Sequence, residues 1–92
     1  MTDTELTTPI VHLNGSSAKR LREDYEEAGN ALYAAAKKLQ ATSPHGRDYY
    51  ISKDPNALFK AEAEHKTRML RLNAVLEEIV ELQIAVLDQE NR

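Results

Sequence analysis

Residues 18–39 read AKRLREDYEEAGNALYAAAKKL, and one helical stripe runs through them: Ala18, Leu21, Tyr25, Ala28, Leu32, Ala35 and Leu39. The steps alternate between three and four, the repeat that keeps one face of an α-helix against a partner helix. A second stripe follows at Leu58, Ala61, His65, Leu72, Val75, Ile79, Leu82 and Val86, interrupted once by Arg68. Two such stripes predict an all-α chain, a long antiparallel hairpin of two helices.

The punctuation between the stripes sets the expected boundaries. Residues 1–8 are polar and read as a disordered tail, with 9–92 as a single helical-hairpin domain. Pro9 to Leu13 reads as a short extended segment, closed by Asn14-Gly15, a dipeptide that tolerates positive φ. Ser16 or Ser17 supplies a capping oxygen for a first helix over 17–41. Gly29 inside that helix costs about 1 kcal/mol against Ala and suggests close approach of another backbone. Pro44 and Gly46 open a loop over 42–54, and Asp54-Pro55 restarts a helix over 55–89, with Asp at the cap and Pro at the first helical position.

At 1.5 Å per residue these helices reach roughly 38 and 52 Å. Folding them about the loop pairs residue i with a residue near about 97 − i, so Leu32 meets His65 and Ala18 meets Ile79. The second helix then overhangs by two to three turns at its C-terminal end. That overhang carries Val75, Ile79, Leu82 and Val86 on one side and Leu76, Val80, Ile84 and Leu87 on another. The Ile10–Leu13 segment covers one side, and the other calls for further copies of the chain in an oligomeric helical bundle.

Composition narrows the function classes. A chain of 92 residues without Cys has no disulfide and no thiolate metal site, so association is the expected source of extra stability. The acidic start Thr2-Asp3-Thr4-Glu5 is unlike a secretory leader, and the longest apolar run, Ile84 to Leu87, is far short of a membrane span. A soluble intracellular protein is the expectation. The net charge of −3 is unevenly spread: residues 37–71 hold eight Lys/Arg against four acids, net +4, leaving −7 for the remainder. The loop end is therefore basic and attracts small anions, while an acidic total without a long basic face disfavours double-stranded DNA.

Pro44-His45-Gly46-Arg47-Asp48-Tyr49-Tyr50 is the stretch richest in chemistry. Arg47 and Lys53 suit phosphate, and Tyr49 and Tyr50 suit stacking on a base. The competing interpretation is that the tyrosines plug the end of the hairpin and Arg47 pairs with Asp48 or a helix carbonyl. His65 lies on the seam with Arg68 one turn on, either as a ligand contact or as a hydrogen-bonded core residue. Glu62 and His65 also spell Glu-x-x-His, half of a di-iron bundle motif, but the facing Ala35 and Leu32 offer no further ligands. His12 and Asn14 bracket the N-terminal turn and are secondary ligand contacts or turn residues. No catalytic constellation stands out, so no enzyme activity, metal or cofactor is expected.

His12-Leu13-Asn14-Gly15-Ser16, Gly46-Arg47-Asp48-Tyr49-Tyr50 and Ala61-x-x-Glu64-His65-x-x-Arg68 together resemble a group of small bacteriophage and prophage proteins. In general organisation the chain is also similar to the phage helical-hairpin sponge proteins, anti-CBASS and anti-Thoeris, which oligomerise and sequester cyclic nucleotide signals of bacterial immunity. That likeness is architectural, and none of that family's binding residues is carried over. It implies a homo-oligomer in the bacterial host's cytoplasm that captures a nucleotide-type ligand at subunit interfaces; the chain's own residues offer Arg47, Tyr49, Tyr50, Lys53, His65, Arg68, His12 and Asn14 as the candidate contacts. The rival expectations are a helix-mediated adaptor or inhibitor of a host protein and a ferritin-like half-bundle with a metal site.

Overall fold

Ser17 opens the first helix. The computed structural model describes residues 6–91, and in it α1 spans Ala18–Gln40, with the Ser17 hydroxyl accepting the Arg20 N–H at 3.0 Å. A single 3₁₀ turn, Gly46–Asp48, interrupts the connection, and α2 spans Ala57–Glu90. Residues 6–8 of the expected tail have no regular structure; residues 1–5 lie outside the described part.

The expected cap of the second helix is displaced by two residues. Asp54 does not cap α2: its Oδ1 accepts the Asn56 N–H at 2.9 Å, its Oδ2 accepts from Lys60 Nζ at 2.7 Å, and its carbonyl accepts the Ala57 N–H at 3.1 Å. These bonds wind Pro55 and Asn56 into a turn, so helical geometry starts at Ala57 and not at Pro55.

The helices run antiparallel, but in a different register from the expected one. Gly29 faces Leu76 and Ile79, Ser43 meets His65, Gly46 faces Leu58, and Arg22 pairs with Glu90. Facing numbers therefore sum to about 108 rather than 97. The cause lies in segment 41–56, which folds back along the first turns of α2 and does not cross directly between the helix ends. The surplus length of α2 consequently sits at the loop end. The C-terminal overhang is absent: α2 ends level with the start of α1, tied there by Arg22 Nε donating to Glu90 Oε1 at 2.8 Å.

The seam shifts with the register. On α1, Ala36 is half-buried and Ala35 exposed; on α2, Met69 replaces Arg68 and Leu76 replaces Val75. The apparent interruption at Arg68 vanishes, because the contact steps from His65 by four to Met69 and then by three to Leu72. Val86 is the one side chain fully buried among the described residues. Pro9–Val11 lies on the last turns of α2, where Val11 N–H donates to Gln89 Oε1 and Gln89 Nε2 donates to the Pro9 carbonyl, both at 2.8 Å. Ile10 and Leu13 stay 73% and 97% exposed, so they do not cover the helix as expected.

Two glycine expectations also change. No residue among those described has a positive φ. Gly15 instead makes room for His12, whose Nε2 would lie 2.7 Å from a Cβ there. At Gly29 a Cβ would meet only the side chains of Ile79 and Leu76, at 3.8 and 3.9 Å, so no second backbone approaches.

Candidate functional site

The loop end is built from small hydrogen-bonded turns. Thr42 and Ser43 donate their hydroxyls to the carbonyls of Leu39 and Gln40, closing the last turn of α1. His45 Nδ1 accepts the Arg47 N–H at 3.2 Å, and the Gly46 carbonyl accepts from both Tyr49 and Tyr50. Ser52 Oγ then accepts the Asp54 N–H at 3.1 Å. Each turn fixes the direction of the next, so the tyrosines are presented by a shaped segment.

Between that segment and the first turn of α2 lies an open cleft of about 370 Å³. Gly46, Tyr49, Tyr50, Pro55 and Leu58 give it an apolar lining, and Ser52 and Asp54 add oxygen. Its size is within the range of small-molecule sites. Tyr50 is 80% exposed while Tyr49 is half-buried. Arg47 and Lys53 belong to the same loop, stand exposed, and enter no ion pair among the described residues. Lys60 beside Asp54 holds that carboxyl below the usual carboxylate range, with the Asn56 N–H helping.

The other candidate residues lie elsewhere. His65 is buried against the loop, with Nε2 3.1 Å from Ser43 Oγ. The single Ser43 hydroxyl proton goes to the Gln40 carbonyl, so the imidazole donates from Nε2 and leaves a bare lone pair on Nδ1, which is buried without a partner. That makes His65 a packed seam residue, and it is not presented to a ligand. Its expected neighbour Leu32 is replaced by Ser43. Glu62 is exposed while His65 is enclosed, and no three His, Asp or Glu among the described residues gather closely enough to hold a metal ion.

Arg68 joins Glu64, Thr67 and Arg71 on a shallow groove of about 320 Å³ along α2. Sequence reasoning passed over Thr67 and Arg71, although Arg68 and Arg71 share a helix face at a spacing of three. His12 and Asn14 sit at the opposite end of a molecule 62 Å long, beside the N-terminus of α1. A third hollow there is lined by Thr8, Ile10, Ala85, Asp88 and Gln89. Of eight candidate contacts, four belong to the loop, with Tyr49 and Tyr50 lining the cleft; His65 packs against that loop, and Arg68, His12 and Asn14 lie apart from it.

No family model, curated protein or solved structure matches this chain. No helix among the described residues is long and apolar enough to cross a membrane.

Proposed function

We propose that the chain is a binding protein that captures a small anionic ligand of the cyclic nucleotide type and works as an assembly of hairpins. The observation carrying this is the loop cleft that Tyr49 and Tyr50 line, in a loop that also carries Arg47 and Lys53, neither of them in an ion pair among the described residues. Tyrosine faces stack on any base, and a guanidinium forks onto phosphate oxygens. Such capture needs recognition without bond-making, and it is consistent with the resemblance in organisation to phage sponge proteins. Arg68 and Arg71 form a second, separate surface for phosphate.

Thermal unfolding with a panel of cyclic di- and trinucleotides tests the proposal. The expected result is a raised Tm for at least one of them, diminished in Tyr50→Ala and Arg47→Ala, both exposed positions whose loss spares the fold. An unchanged Tm at millimolar concentration of every member rejects it. A second role, as an adaptor docking on a host protein, is favoured by one observation: Val80, Ile84 and Leu87 remain exposed on one flank of α2. Under that alternative the purified chain is monomeric by light scattering and covers this flank only with its partner.

A further inference from the structure

We infer that this exposed flank of α2 is the seam on which a second copy of the same chain docks, antiparallel, about a two-fold axis at Asn73. The inference deepens the assembly part of the proposed function, but it rests on α2 and not on the ligand. Five of the six exposed large apolar residues of α2, Phe59, Leu70, Val80, Ile84 and Leu87, are 41 to 73% open to solvent, while the sixth, Val75, lies on the opposite flank. The five fall on one line about a quarter turn round the helix from the seam that meets α1. From Leu70 onward the steps through Asn73 and Glu77 to Leu87 alternate three and four. α2 therefore carries two helix-packing stripes, and α1 covers only one.

The surface area points the same way. The chain exposes 7489 Å². A compact monomer of its mass exposes about 5,400 Å². Even with about 160 Å² allowed to each of the six undescribed residues, an excess of roughly 1,100 Å² remains. A permanent homodimer interface covers about 1,000–2,500 Å² per partner.

Charge selects both the occupant and its direction. From residue 57 to 71, α2 carries Lys60, Lys66, Arg68 and Arg71 against Glu62 and Glu64; from 72 to 90 it carries five acids and no base. A parallel pair would set the acidic halves against each other, whereas an antiparallel pair lays basic half on acidic half. The stripe's midpoint, halfway between Phe59 and Leu87, is Asn73. With the axis there, Phe59 meets Leu87 of the second copy, Lys66 falls between Glu77 and Glu81 of the second copy, and the two Asn73 amides meet each other. Each loop cleft then lies beside the other copy's open end, so Tyr49 and Tyr50 come to the same end of the pair as the second copy's His12 and Asn14.

Cysteine cross-linking without ligand tests the geometry, since the chain has no Cys of its own. Asn73→Cys is expected to form an intermolecular disulfide under mild oxidation. Lys66→Cys is expected not to pair with itself, because its mate lies roughly 21 Å along the antiparallel helix. In the wild type, sedimentation is expected to give an even multiple of the chain mass. Ile84→Glu, at an exposed position, is expected to break the pair with helix content unchanged. Lys66→Glu is expected to weaken the pair about tenfold, and adding Glu77→Lys with Glu81→Lys to restore it. Self-linking of Lys66→Cys as fast as Asn73→Cys overturns the inference, as does a folded lone chain at near-millimolar concentration. Cross-linking as expected with no nucleotide response rejects ligand capture and leaves the pairing standing.

Discussion

Gly29 is a weakness that the fold does not require. Its φ is ordinary, and a methyl group there would make normal contacts with Ile79 and Leu76. Gly29→Ala is therefore expected to stabilise the chain by about 0.5–1 kcal/mol, read as a higher Tm. His65 behaves oppositely. Ser43→Ala removes the one hydrogen bond of a buried imidazole and is expected to cost about 1–2 kcal/mol. Adding His65→Leu removes the unsatisfied group as well, so the double variant is expected to recover most of that loss in a thermal double-mutant cycle. An additive result would show that the two side chains act separately. The Ser43–His65 contact was not legible in the sequence, because only the register brings residues 22 apart together.

At the scale of elements, both helices were legible and their meeting was not. Alternating steps of three and four are a local property, and Ser17 acts as expected. Register depends on how the connection folds, and there Asp54 spends its oxygens on a turn rather than a cap. One clue lay in the sequence: a charge at Arg68 within an apolar stripe marks a place where the seam steps to the neighbouring residue, here Met69. The loop tyrosines and the basic loop end were readable from composition, whereas the separation of Arg68, ten residues along α2 from the Leu58 wall of the cleft, and of His12 and Asn14 follows from the length of the molecule. The Asp54 turn also has a pH signature. Its folded pKa is depressed, so its contribution is present above the unfolded carboxylate value of about 3.9 and is lost as pH falls below it. Amide exchange at Asn56 and Ala57 is expected to quicken, relative to the helix interior, as pH drops through that range. Asp54→Asn should abolish the extra quickening.

The molecule as a whole is a thin rod, 62 × 27 × 19 Å, with one fully buried side chain among its described residues. A single chain of this shape hides little apolar surface, so most of its contacts are half wet. If hairpins pair, stability becomes a property of concentration, and Tm is expected to rise as protein is added. A Tm independent of concentration over two decades would speak for a self-sufficient hairpin. Val86 has a consequence of its own. With so little interior to expose, a lone hairpin would unfold with a shallow urea dependence and a small heat-capacity increment, below the norm for its length. Its stability curve would be broad and flat, nearly the same in the cold as at body temperature. A steep urea slope from so slender a rod would mean that water had already been squeezed from between chains.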